Sequence, residues 1–256
     1  MTRPDGSTVG GAVLLAAAAV LLGVAALTGR GDMTSATLVL VGFASFVGGV
    51  VLLTQYRGEA VAPWVAGLAA AGPVLDLARV AADLGLQGSA RLVPTDDGVV
   101  QVVPVRDPPS GAEPPALPRD DYSFLDEAHG GGLLLVPTGR PLYDRLVARD
   151  GLVVPGTPEG VCTAVREVAG ATLGIADRVE AVAEGDGIVV LLEGFRLYDG
   201  CRAVRAASPR VCTMIGCPVC NLFGVMAAAG LGRTCVLADV ATDDGSRSVR
   251  LVLALA

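Results

Sequence analysis

Two uncharged apolar runs constrain this chain before anything else does. Residues 10–27 and 36–53 contain no Asp, Glu, Arg or Lys. A helix rising about 1.5 Å per residue over either run, with a residue or two added at each end, crosses a hydrocarbon core of about 30 Å. The short intervening segment around Arg30 leaves room only for a turn, so residues 1–57 are expected to form a transmembrane helical hairpin. Small residues four apart, Ala12 and Ala16, Ala19 and Gly23, Ala44 and Gly48, are expected to let the two backbones approach. Neither run holds an ionisable residue, which favours an anchor over a transport or proton-relay role. A cleaved signal peptide fits less well, because the first run exceeds an ordinary h-region and a second span follows at once. Arg3 and Arg57 flank the outer ends against Arg30 in the turn, which places both termini and the soluble part in the cytoplasm. Cysteines without an evident disulfide framework suit that reducing compartment.

The chain of 256 residues is long enough for one or two domains. Its net charge is −7, arginine supplies all the basic charge, and no basic patch stands out. Nucleic acid is therefore excluded as a partner, since phosphate contacts need clustered cations. The remaining partners are the membrane, a small molecule or protein, and a second copy of the chain in a homo-oligomer.

Beyond the hairpin, residues 58–72 are apolar, with Trp64 placed where an indole suits a membrane interface. Pro73 then opens an amphipathic helical pattern. Residues 91–104 read as two strands around Asp96-Asp97-Gly98, a strong hairpin signal. The same order returns twice, with hairpins around Gly185-Asp186-Gly187 and Asp243-Asp244-Gly245. Three helix, strand, turn, strand units predict a membrane-anchored α+β protein, its antiparallel sheet covered by helices on one face. Pro104, Pro108, Pro109, Pro114, Pro115 and Pro118 fit neither a helix nor a sheet interior and mark an extended linker. The expected organisation is a transmembrane hairpin at 1–57, a membrane-proximal helix and β-hairpin at 58–103, a Pro-rich linker at 104–120 and a cysteine-containing α+β domain at 121–256.

Few motifs suggest catalysis. The glycines at 130–132 precede a strand, whereas a phosphate cradle follows one and leads into a helix. His129, beside Asp126 and Glu127, is the only histidine, and it reads as a loop residue more readily than as a base or ligand. Without a serine in a nucleophile-elbow context, hydrolase triads have no support.

The chemistry concentrates in Cys212-x4-Cys217-x2-Cys220. Pro218 suits the first position of a helix, so Cys217 becomes the N-cap and Cys220 lies one turn in. There the unpaired backbone N–H groups and the positive helix end favour thiolate. The spacing matches three ligands of a plant-type [2Fe–2S] site, with Cys235 or Cys201 as the fourth, and zinc accepts the same thiolates. The C-x-x-C pair alone suits dithiol redox chemistry. All six cysteines also suit a buried structural role, and Cys162, in mid-helix, reads as core.

The terminal unit, a cysteine before a loop, then GCPVC, a helix and a closing hairpin, resembles the end of uncharacterised archaeal membrane proteins that pair two N-terminal spans with a cytoplasmic domain. It is more distantly similar to the ligand-binding domain of vinyl-4-reductase-related proteins, where a helix and a cysteine-bearing hairpin help bind small hydrophobic molecules. The likeness covers residues 201–255 and transfers no binding residue, because the characteristic cysteine pairing of that domain lies elsewhere. The resulting expectation is a multi-pass membrane protein whose cytoplasmic domain binds or senses rather than catalyses. The alternative is a thiolate metal, Fe–S or dithiol redox protein.

Overall fold

The computed structural model describes residues 6–28, 33–54, 62–107, 123–125 and 131–256. Arg3, Arg30, Arg57, the cluster of Asp126, Glu127 and His129, and most of the proline-rich linker lie outside the described residues. The chain divides into two compact units, Met1–Val61 and Ala62–Ala256.

The first unit holds α1 (Gly6–Thr28) and α2 (Met33–Thr54), an antiparallel helix pair. Its closest approach is Gly11 against Gly49: a Cβ on Gly49 would lie 3.1 Å from the Gly11 carbonyl oxygen. The contact seam runs through Gly11 and Ala18 on α1 and through Gly42 and Gly49 on α2, all buried. Ala12, Ala16, Ala19, Gly23 and Ala44, expected at the seam from their four-residue spacing, are exposed instead. A four-residue step drifts around the helix, whereas a seven-residue step keeps small residues on one seam between two nearly antiparallel helices.

The second unit is one antiparallel sheet of eight strands with helices against it. The strands are β1 (Arg91–Thr95), β2 (Gly98–Pro104), β3 (Phe124–Leu125), β4 (Gly132–Leu135), β5 (Arg178–Glu184), β6 (Gly187–Glu193), β7 (Cys235–Asp243) and β8 (Ser248–Leu255), in the order β3-β4-β2-β1-β7-β8-β6-β5. The three expected hairpins supply its six inner and right-hand strands. Asp96-Asp97 and Gly185-Asp186 close tight turns, with Thr95 paired to Gly98 and Glu184 to Gly187. In the third, the Asp243 carboxylate accepts from the Gly245 and Ser246 amides, and the positive φ falls on Arg247 rather than on glycine. β2 and β4 pair directly, so strands from both sides of the proline-rich segment enter the same sheet.

Alternation decides which face is the core. Ile188, Val190 and Leu192 of β6 pair with Leu253, Leu251 and Val249 of β8, and all six are buried in the main core. In β7 the inward residues are Cys235, Leu237 and Val240. Their odd spacing is absorbed by a bulge between Leu237 and Asp239, which restores the inward register.

The helices of this unit are α3 (Pro63–Asp83), α4 (Arg140–Asp150), α5 (Pro158–Arg166) with a π-helical extension Glu167–Thr172, α6 (Tyr198–Ala207), α7 (Val211–Met214) and α8 (Pro218–Leu231). Two differ from the sequence pattern. Pro73 lies inside α3 rather than at its start, since the helix runs back to Pro63 and buries Ala71, Val74, Ala78 and Ala81 along one stripe. Residues 208–216, which read as an irregular loop, contain the short α7. By length and composition Val9–Thr28, Met33–Thr54, Pro63–Asp83 and Val211–Leu231 are apolar enough to cross a membrane. The last of these is taken up by the core: Val219 to Ala228 are buried without a break, and a helix apolar all round belongs in a protein interior as well as in lipid.

Candidate functional site

The start of α8 is fixed by a buried amide pair. Gln101, in the middle of the apolar β2, and Asn221, in the first turns of α8, are both fully buried. Asn221 Nδ2 donates to Gln101 Oε1 at 2.7 Å and to the Ile215 carbonyl at 3.2 Å. Gln101 Nε2 donates to the same carbonyl at 2.9 Å, and the Gly139 N–H donates to Asn221 Oδ1 at 3.0 Å. The Thr138 hydroxyl adds a bond to the Gly216 carbonyl at 3.0 Å. Strand β2, the turn before α4 and the loop before α8 are thereby joined, with both amides satisfied. Gly216 adopts φ +78°, and a Cβ there would come within 2.7 Å of Leu237 Cδ1, so glycine meets both the backbone and the space requirement. The chain then delivers Cys217 at the N-cap with extended geometry, φ −74° and ψ 160°, and Pro218 at N1.

This arrangement brings Cys217 and Cys220 together as the spacing implied. Cys217 is half-buried and Cys220 buried. The Cys217 thiol is lowered to about 7, first by a hydrogen bond from the Cys220 thiol and then by the Cys220 and Val219 backbone amides, against the opposing effect of burial. No formal cap bond forms from its side chain; the amides act as oriented donors near the sulfur, as at other helix N-termini. Cys220 is pushed well above the ordinary thiol range by donating to Cys217 and by burial. One half-buried thiol that ionises readily therefore faces one buried thiol that does not.

Two further cysteines share the neighbourhood. Cys201, on α6, is raised to about 12, and Cys212, on α7, to about 11, in both cases by burial first and then by the negative charge of Cys217. Arg205, whose guanidinium donates to the Val240 carbonyl, pulls both thiols partway back down. Cys235 stands apart, raised to about 12 by burial alone at the start of β7. Cys162 is a core residue of α5. A tetrahedral thiolate centre holds its sulfurs within about 4 Å of one another. Among the described residues no group of three or more His, Cys, Asp or Glu side chains converges to hold a metal ion.

Cys217 and Cys201 also open onto a cavity of about 300 Å³ whose other walls are apolar. Ala70 of α3, Phe195, Val204 of α6 and Pro218 supply much of the lining. Its shape depends on the crossing of α3 and α6 at Gly67 and Gly200, where a Cβ on Gly200 would overlap the backbone of Gly67 and a Cβ on Gly67 would lie 3.0 Å from the Leu197 carbonyl oxygen. The cavity was not legible in the sequence, since residues of four separate helices, α3, α4, α6 and α8, build it. The amide pair left a fainter mark: a single Gln inside VVQVV and a single Asn heading LFGVM are lone polar residues in apolar runs, the pattern of a buried hydrogen-bonded pair.

No curated protein and no solved structure matches the chain. The family model described as Domain of unknown function (DUF7982) matches residues 7–253, and the chain therefore belongs to that uncharacterised family.

Proposed function

We propose that this is a two-span membrane protein whose cytoplasmic α+β domain is a thiol redox module, sensing or relaying oxidation state through Cys217 and Cys220. The observation that carries the reading is the asymmetry of the pair: a half-buried thiol at the N-cap of α8 whose charged form is stabilised, with a buried thiol held protonated one turn behind it. That asymmetry divides the roles. Cys217 attacks a sulfur of a partner disulfide and expels one partner thiolate, forming a mixed disulfide. Cys220 gives up its proton and attacks Cys217 Sγ, the second partner thiolate leaves, and an intramolecular disulfide remains. Two electrons and the Cys220 proton pass to the partner, whose second thiolate takes its proton from solvent, and the reverse sequence reduces the module. The buried Cys220 is protected from solution reagents and lies beside the Cys217 sulfur. A four-thiolate metal centre, the other reading of the same spacing, lacks convergent ligands among the described residues.

The test is a redox titration of the full chain in detergent against mixtures of reduced and oxidised dithiothreitol, with thiols trapped and mapped by mass spectrometry. One two-electron transition linking Cys217 to Cys220 is expected, lost in Cys217→Ser and in Cys220→Ser and kept in Cys162→Ser. Stoichiometric zinc or iron in anaerobically purified wild type, absent from Cys217→Ser, would overturn the reading in favour of a metal site.

A further inference from the structure

We propose that the cavity beside the dithiol admits the ring of a quinone, so that a lipid-soluble two-electron acceptor oxidises Cys217 and Cys220 and the exchange with a protein partner runs in the direction that reduces the module. The proposal rests on the dithiol reading and adds the substrate class. Three observations lead to it. The cavity, at about 300 Å³, falls at the small end of the range for ligand sites and suits a ring rather than a peptide. Its lining carries no charged side chain, so a peroxide, or a disulfide bearing carboxylates, would lose its hydration there without compensation. Its two polar features are thiols, Cys217 and Cys201. Cys201 is 6 % exposed and lines the cavity, and its thiol has no hydrogen-bond partner among the described residues. Held protonated by burial, it is a donor awaiting an acceptor. A quinone brings carbonyl acceptors on an otherwise apolar ring, which is the complement of an apolar cavity containing one spare S–H and one thiolate. Such quinones dissolve in bilayers, and α1 and α2 are apolar enough to tether the domain to one.

The electrons balance without a further reagent. The Cys217 thiolate adds to a quinone carbonyl carbon, forming a C–S bond and moving the carbonyl electron pair onto oxygen. Cys220 gives up its proton and attacks Cys217 Sγ, and the S–S bond forms as the C–S bond breaks. The released pair enters the ring, which becomes aromatic as the quinol. The Cys220 proton and one proton from solvent end on the two quinol oxygens. The dithiol is oxidised by two electrons and the quinone reduced by two. Cys201 serves as a positioning donor to a quinone oxygen and exchanges no electrons.

The test uses the reduced full chain in detergent under anaerobic conditions with duroquinone, whose fully substituted ring cannot permanently arylate a thiol. The expected result is one quinol formed and two thiols lost per protein, with the disulfide mapped to Cys217 and Cys220. Durene, the redox-inert hydrocarbon of the same shape, is expected to inhibit competitively, and Ala70→Phe, which fills the cavity from a half-buried position, to slow the reaction by about tenfold or more. Cys201→Ala should raise KM for the quinone, whereas a merely structural role would leave KM unmoved. Dithiothreitol equilibration separates the two readings. A disulfide that forms with oxidised dithiothreitol but not with duroquinone overturns the quinone proposal and leaves the dithiol intact; no disulfide with either reagent removes both. Quinone reduction insensitive to durene would show that the chemistry occurs outside the cavity and would equally overturn the proposal.

Discussion

Two thiols one helical turn apart have the same chemistry in isolation, and here their surroundings set them in opposite directions. Cys217 is lowered to about 7 because Cys220 and the first amides of α8 stabilise its charged form; Cys220 is raised because it is the donor and is buried. A depressed thiol value means that the reduced protein gains stability from this group above the ordinary thiol range and loses it as pH falls through about 7. Alkylation of Cys217 by iodoacetamide should therefore be half-maximal near pH 7, below an ordinary cysteine. Cys220→Ala removes the largest stabilising contact and should move that midpoint upward, as followed by mass spectrometry across a pH series. A midpoint unmoved by the substitution would assign the effect to the backbone amides alone. The N-cap position of Cys217 was legible in C-P-V-C, because proline after a cysteine dictates where the helix begins. Its pairing with Cys201 at one cavity was not, because fifteen residues of α6, α7 and connecting loop separate the two positions.

Among the elements, α8 depends on polar contacts that its apolar sequence hides. Asn221→Ala leaves the Gly139 N–H and the Gln101 side-chain carbonyl without their partner, and each buried orphan costs about 1–3 kcal/mol. The expected outcome is a lower thermal midpoint, with the alkylation midpoint of Cys217 rising as the helix start loosens; both are read on the same purified protein. Gly139→Ala makes a sharper test of the turn before α4. Its Cβ would overlap the backbone of Leu222, which no rotamer change relieves, so a loss of about 1–3 kcal/mol or more is expected in urea denaturation. The hairpins were legible because each combines alternating apolar residues with an Asp- or Gly-rich turn. The short α7 was not, since Pro209 and Gly216 enclose it in what reads locally as loop. The extension of α3 through Pro73 was likewise hidden. A proline inside a helix costs about 3 kcal/mol, and the burial of Ala71, Val74, Ala78 and Ala81 against the domain outweighs it.

For the molecule as a whole, residues 1–57 should suffice to hold a reporter in membranes through alkaline carbonate extraction, and recovery of the full chain in the soluble fraction would refute the anchor. The proposed cytoplasmic orientation makes a second prediction: a membrane-impermeant maleimide should leave Cys217 unlabelled in intact cells and label it after lysis. The sequence by itself determined the apolar helices, the α+β class, the turns and the helix start at Pro218. Each of these follows from interactions within a few residues: uninterrupted apolar length, two-residue alternation, and the backbone limits of proline and glycine. Only the tertiary structure decided the strand order, which pairs β1 with β7 and β2 with β4, and the fate of Val211–Leu231. That segment has the composition of a membrane span, yet it lies inside the domain because the sheet and the surrounding helices offer it an apolar environment as complete as lipid. The same long-range packing sorted the cysteines. It brought Cys217 and Cys201 to one cavity and sent Cys235 to the sheet, since sulfurs distant in sequence become neighbours only where the helices that carry them cross.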